Sequence, residues 1–203
     1  MQKPQQSTIA YAMHGNCYLN ITSRCTLKCT FCPKYNRRWE VQDYDLRLLH
    51  EPDFEEVINS IGDPANYQEV VFCGFGEPTQ RLSLLLEIAA WVKARGVPVR
   101  LNTDGLVNLI EGYDVTPMLA KVVDKVSVSL NADSEALYIH HTRPRVAGAF
   151  MALQDFAVAA KEAGMAVTLS AIDGLEGVDI AACEAIAQRL GVAFRRRVLD
   201  AVG

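Results

Sequence analysis

Cys25-Thr26-Leu27-Lys28-Cys29-Thr30-Phe31-Cys32-Pro33 is the stretch from which the rest of the chain is best read. It sets three cysteines within eight residues, at spacing C-x3-C-x2-C. It follows Cys17-Tyr18-Leu19-Asn20-Ile21-Thr22, whose apolar character reads as a strand over 16–22. Three thiolates on one short loop make an incomplete ligand set. A four-site metal centre held this way keeps one position open, and open positions are where chemistry takes place.

Downstream of this loop the pattern is strand, loop, helix, glycine, repeated. Asp53 with Glu56 three residues on forms a capping box for a helix over 54–61, which stops at Gly62. Glu69-Val70-Val71-Phe72-Cys73 reads as the second strand, and Gly74-Phe75-Gly76-Glu77-Pro78-Thr79 follows it. A helix over 81–95 shows apolar residues at Leu82, Leu85, Leu86, Ala89 and Val92. Strands are expected over 97–102, 126–130, 166–172 and 192–199. Further helices are expected near Thr116-Pro117, over 134–141, over 147–163, and from the Asp179 cap to Leu190. The polar stretch over 34–51 shows no period.

Strands alternating with helices imply right-handed crossovers and a parallel sheet. Six such units are too few to close an eight-stranded barrel. The expected architecture is α/β, an open (βα)6 partial TIM barrel in a single domain over 1–203. Working residues in such folds collect at the C-terminal ends of the strands. The cysteine loop, the 74–79 turn, the 102–105 turn, Ser129 to Asn131 and the 173–177 loop all fall there.

The chain has 203 residues, half of them hydrophobic, and a net charge of −4. That length suits one domain with a substantial core, and that charge gives no global pull towards nucleic acid or a membrane. The stretch Met1-Gln2-Lys3-Pro4-Gln5-Gln6-Ser7-Thr8 has no apolar run of the signal-peptide type, and no segment is apolar enough to span a bilayer. The expected compartment is the cytoplasm, where six cysteines point to metal or redox chemistry before disulfides.

The cysteine loop, with aromatic Phe31 before its last cysteine, resembles the cluster motif of the radical S-adenosylmethionine (SAM) superfamily. Gly76-Glu77-Pro78 is similar to that superfamily's GGEP motif, with Phe75 where the first glycine usually stands. Thr103-Asp104-Gly105 resembles its TNG turn, with Asp104 in place of Asn. More narrowly, Leu19 to Thr22, Val71 to Thr79, Arg100 to Thr103 and Val126 to Ala132 resemble the small TatD-nuclease-associated radical SAM proteins.

The resemblance implies a radical SAM enzyme. Cys25, Cys29 and Cys32 would bind three irons of a [4Fe–4S] cluster, and the fourth iron would take the amino and carboxylate groups of S-adenosylmethionine. An electron through the cluster would then release a 5′-deoxyadenosyl radical that abstracts hydrogen from a substrate. Glu77 would pair with the cofactor's ammonium, and Gly74 and Gly76 would let backbone approach it. Thr103 belongs to the same cofactor set. Ser129 and Asn131 would hold the ribose, while Phe31 and Ile172 would line the adenine. An electron donor such as flavodoxin or ferredoxin is implied, together with an unidentified substrate that includes macromolecules in its range, a glycyl radical partner or a nucleotide among them.

Plainer readings stand beside these. A zinc site would need His14, Cys17 or Cys73 as its fourth ligand. A non-enzymatic iron–sulfur or zinc protein is the alternative function, although an electron carrier has no need of Glu77 in its Gly-Glu-Pro setting. Cys17, Cys73 and Cys183 read as small buried hydrophobes. The basic runs at 140–145 and 195–197 read as solvated faces or as contacts to an anionic substrate, with one arginine of the second run a candidate to reach inward. Arg195 to Arg197 fit a strand only at a sheet edge. Lys34, Arg37, Arg38 and Trp39 read as a polar loop that shields the cluster or touches substrate.

Overall fold

The structure, a computed structural model, describes residues 7–199; Met1 to Gln6 of the polar N-terminal stretch therefore lie outside the described residues. The chain opens with strands β1 (Ala10–Met13) and β2 (Asn16–Leu19). After the cysteine loop and a single 3-10 turn come two short strands, β3 (Glu40–Val41) and β4 (Tyr44–Asp45). Then follow α1 (Phe54–Ile61), β5 (Val70–Phe72), α2 (Leu82–Lys93), β6 (Val99–Thr103), α3 (Val107–Glu111), α4 (Thr116–Leu119) and β7 (Lys125–Ser129). The chain continues through α5 (Glu135–Thr142), α6 (Ala149–Glu162), β8 (Ala166–Asp173), α7 (Ile180–Leu190) and β9 (Ala193–Val198).

The main sheet has seven strands in the order β1-β2-β5-β6-β7-β8-β9. From β2 to β9 every pairing is parallel and each strand lies beside its predecessor in the βα series. The fold is therefore α/β with a mostly parallel sheet. The expectation of a purely parallel sheet is corrected at one edge, where β1 pairs antiparallel with β2. The cause is a two-residue hairpin: His14 and Gly15 both have positive φ, 52° and 77°, which twists the pair as a type I′ connection does. His-Gly is a weaker signal for this turn than Asn-Gly, and the sequence does not mark the strand before it. The β3–β4 hairpin in the aperiodic stretch leaves no mark in the sequence either, because two-residue strands carry no period. β2 also ends at Leu19 rather than reaching 22.

Capping sets the helix starts where the sequence put them. Asp53 accepts from the Glu56 amide while the Glu56 carboxylate accepts from the Asp53 amide. Asp179 accepts from the Ala181 and Ala182 amides at the start of α7, and Gly191 ends it in a left-handed conformation. Thr116 was expected as a cap and is instead the first helical residue of α4, with Val115 before it.

Alternation along the strands sorts side chains onto two faces. Cys17, Leu19, Val70, Phe72, Val99, Leu101, Val126, Val128, Val167 and Leu169 point to the helices and form one core with residues of all the longer helices, Cys183 among them. On the opposite face, Tyr11, Met13, Tyr18 and Val71 pack with Leu46 and with Val41 and Tyr44 of the small hairpin. That hairpin thus covers the β1–β2–β5 end of the opposite face. Tyr44 fixes it by donating its hydroxyl to the Ala12 carbonyl at 3.2 Å.

Candidate metal and cofactor site

Three segments meet at the C-terminal ends of β2, β5 and β6. They are the cysteine loop, the Gly-Glu-Pro turn and the 103–105 turn. Backbone contacts hold the first two together: the Glu77 amide donates to the Arg24 carbonyl at 2.8 Å. Glycine is required for that approach. A Cβ on Gly76 would stand 2.2 Å from the Thr22 carbonyl oxygen, and one on Gly74 would stand 2.3 Å from Asn20 Oδ1. Both glycines therefore press the turn onto the chain's own 20–24 segment. Phe75, where a glycine is usual in the motif, points elsewhere: its ring meets Trp39 edge-on at 6.0 Å, tying the segment after the cysteines to this turn.

The far side of the cysteine loop is held by α5. The Lys28 amide donates to the Thr142 carbonyl at 2.9 Å, and the Thr30 amide to the His141 carbonyl at 2.8 Å. The last carbonyls of a helix have no partner within it, and here the cysteine loop supplies donors. His141 is itself buried, with Nε2 against the Glu176 carbonyl at 2.8 Å, so this part of the 140–145 run is structural.

Glu77 is buried, and both of its oxygens are occupied. Oε1 accepts from the Thr79 amide at 3.1 Å, the Thr79 hydroxyl at 2.8 Å and the Thr103 hydroxyl at 2.8 Å. Oε2 accepts from the Asp104 amide at 2.7 Å. Thr103, expected among the cofactor contacts, thus spends its hydroxyl on Glu77. Beside Glu77 lies a second buried carboxylate, Asp104, which accepts from the Leu106 amide at 3.0 Å and from the Thr26 hydroxyl within the cysteine loop. Burial first, and then the charge of Asp104, push the Glu77 carboxyl up to about 8. Burial also raises Asp104.

The thiols share this environment. Burial pushes Cys25 up to about 12, with Asp104 and Glu77 adding to the effect. Burial raises Cys29 as well, with Cys25 and Cys32 both close enough to add to it. The sequence-expected ligands are therefore neighbours, half-buried at the rim. Among the described residues, no three His, Cys, Asp or Glu side chains are grouped to hold a single ion. A zinc ion draws its ligands to within ~2.3 Å of one centre, whereas a cluster spreads its thiolates over separate irons. Neighbouring thiols and two buried carboxylates, with Cys25, Cys29, Glu77 and Asp104 resisting ionisation, suit a cationic occupant that would offset their charge. The donor set thus fits a cluster beside an ammonium group.

Phe31 lines a cavity of about 430 Å³ together with Thr30, His141, Gly174, Leu175 and Glu176. Ile172 lies just before it on β8 and is buried. Ser129 ends β7, and Asn131 follows with φ 54°. The Asn131 Oδ1 accepts from Arg197 Nη2 at 2.8 Å across from β9. The sequence alone does not single out Asp104 as a second carboxylate, nor Thr26 as its partner and Thr79 as that of Glu77. In the sequence, position 104 stands out only as a departure from the usual turn.

The Radical SAM superfamily profile matches residues 19–190, most of the chain. The chain belongs to the radical SAM superfamily. Members of this superfamily are enzymes that use a [4Fe–4S] cluster and SAM.

The tungsten-containing aldehyde ferredoxin oxidoreductase cofactor-modifying protein of Pyrococcus furiosus is similar over 91 residues at 31% identity; these make up 43% of this chain and 23% of that protein. The fold is similar to that of Streptococcus suis SuiB. Against SuiB bound to S-adenosylmethionine the TM-score is 0.66 at 15% identity, over 91% of this chain and 40% of SuiB. Against SuiB bound to its precursor peptide SuiA the TM-score is 0.67 at 15% identity, over 89% and 38%. This radical SAM chain thus spans about a quarter of its curated relative and well under half of SuiB. Among its described residues no helix is long and apolar enough to cross a membrane.

Proposed function

We propose that this chain is the core of a radical SAM enzyme acting on a substrate delivered to the rim of an open six-unit barrel, with residues 1–203 forming one core domain. When bound, the cluster and SAM supply reductive cleavage of the sulfonium and hence a hydrogen-abstracting radical. Cys25, Cys29 and Cys32 hold the cluster. Glu77, fixed by Thr79, Thr103 and the Asp104 amide, presents its carboxylate to the cofactor's ammonium. Backbone at Gly74 and Gly76, the Ser129 and Asn131 side chains, and the Phe31 cavity next to Ile172 receive the rest of the cofactor.

The observation that carries this reading is the fastening of the cysteine-loop segment to both the Gly-Glu-Pro turn and the 103–105 turn. The Glu77 amide binds the Arg24 carbonyl on one side, and Thr26 binds Asp104 on the other. A structural zinc site has no use for a buried carboxylate pair fixed to its loop. Within the superfamily, the stretches quoted above support the TatD-nuclease-associated group. A flavodoxin or ferredoxin as electron donor and a cytoplasmic setting suit a low-potential cluster. A peptide or other macromolecular substrate is supported by the peptide-bound neighbour.

The test is anaerobic reconstitution, which should give about four irons per chain. Dithionite with SAM should then yield 5′-deoxyadenosine and methionine. A zinc-only protein with no SAM cleavage would sink the proposal. Glu77→Ala should weaken SAM binding while leaving iron content intact; loss of iron instead would move Glu77 from the cofactor to the cluster's support.

A further inference from the structure

We propose that the face of the sheet opposite the helices carries an oxyanion site centred on Arg197, which takes a phosphate or carboxylate group of the substrate. It rests on the radical SAM reading for what happens to that substrate, but not for the binding itself.

The argument begins with β9. Phe194 packs against the helix-side core, and Arg196 pairs with Asp173 at the end of β8. Arg197 turns the other way, onto the opposite face, where Nη2 donates to Asn131. Its Nε is buried and has no hydrogen-bond partner. A guanidinium presents its donors as a planar fork matched to an oxyanion, and leaving one buried donor unmatched is costly. Burial also lowers the Arg197 pKa, so the charge is held there against a desolvation cost.

The surroundings favour an anion. Arg195, on the same side of β9, adds positive charge near Arg197. Arg100 projects from the same face of β6 and donates to Asn102 Oδ1 at 3.0 Å. Glu69, an acid on this face, lies at the N-terminal end of the strands. It is engaged there by Arg100 at 2.9 Å and Lys125 at 3.1 Å. Asp173 pairs with Arg196, on the other side of β9 from Arg197. Among the described residues of this face, Arg100 and Lys125 are thus engaged by Glu69, while the buried Arg197 keeps an unmatched donor and lies on the cofactor side, in register with Ile172. An anionic group seated on Arg197 would set the rest of the substrate against the cofactor rim.

The test uses the reconstituted, SAM-loaded protein in anaerobic calorimetric titrations. Inorganic phosphate and acetate are the probes, with chloride at matched ionic strength as control. Saturable binding of either oxyanion is expected; phosphate alone points to a phosphorylated substrate, acetate alone to a carboxylate. Arg197→Gln keeps a donor for Asn131 and removes the charge, and should weaken binding about tenfold or more. Arg197→Lys should recover part of it. Unchanged affinity in Arg197→Gln, or no binding beyond chloride in the wild type, would overturn the site. The same titration on the iron-free chain separates the two claims. Oxyanion binding without iron or SAM cleavage keeps the site and removes the radical reading, and cleavage without oxyanion binding does the reverse.

Discussion

The two faces of one sheet differ more than any two segments of the chain. On β6, Val99, Leu101 and Thr103 turn to the helix side, while Arg100 and Asn102 turn to the other. On β7, Val126 and Val128 oppose Lys125, Ser127 and Ser129. The helix face excludes water and supplies apolar burial, the main favourable contribution to folding. The opposite face is apolar where the β3–β4 hairpin covers it and at Ile172, and is otherwise largely polar and charged. A strand with period 2 can serve both ends at once because neighbouring residues never share a face. Stability is concentrated on one side of the sheet, and chemistry lies on the other side and at its rim.

The largest expected effect breaks the rim and spares the core. Cys29→Ser should reduce bound iron and 5′-deoxyadenosine formation to background. The urea midpoint of the metal-free chain should scarcely move, because Cys29 only borders the core. Collapse of that midpoint would mean that the loop supports the fold.

Next comes a matched pair across the sheet. Phe72→Ala removes a fully buried ring from the helix face and should cost about 3–5 kcal/mol in chemical denaturation. Ser127→Ala, on the polar face, should stay within about 0.5 kcal/mol. Similar losses at both positions would erase the distinction.

The buried carboxylates at the rim provide a pH test. Glu77 is raised to about 8 and Asp104 is raised too, so the native state holds protons that the unfolded chain has released. Stability of the metal-free chain should therefore be highest in mild acid and should fall as pH rises towards about 8. Asp104→Asn removes the charge that helps raise Glu77 and keeps an oxygen for the Leu106 amide. It should flatten this slope and raise stability at pH 8. An unaltered slope would show that the two carboxylates do not act on each other.

The smallest effect concerns the ion triad at the base of the polar face. Glu69→Gln leaves Arg100 and Lys125 without their shared partner and should cost about 1 kcal/mol, less at high salt. A cost comparable to that of Phe72→Ala would make this face part of the core after all.

Much of this was legible in the residues. Periodicity and caps gave every parallel strand and the longer helices, because a buried stripe and a capped end leave local marks. The cysteine spacing and Gly-Glu-Pro marked the rim. The β1 strand, the small hairpin and α3 were not legible, since each is too short for a period or starts from an unusual turn. Arg195 to Arg197 were readable as an edge strand, and β9 is indeed the last strand of the sheet. Which of the three turns inward was not readable, because alternation fixes relative facing and needs a neighbouring strand to fix the absolute one.

By itself the sequence determined the βα order, the thiol set and the carboxylate-bearing turn, because these depend on residue type and spacing over a few positions. Only the tertiary structure decided that Glu77 sits beside Asp104, that α5 carbonyls anchor the cysteine loop and that Arg197 is buried with an unmatched donor. Each of those joins residues from 27 to 114 positions apart, or depends on the solvent that other segments exclude, and no local pattern encodes such a meeting.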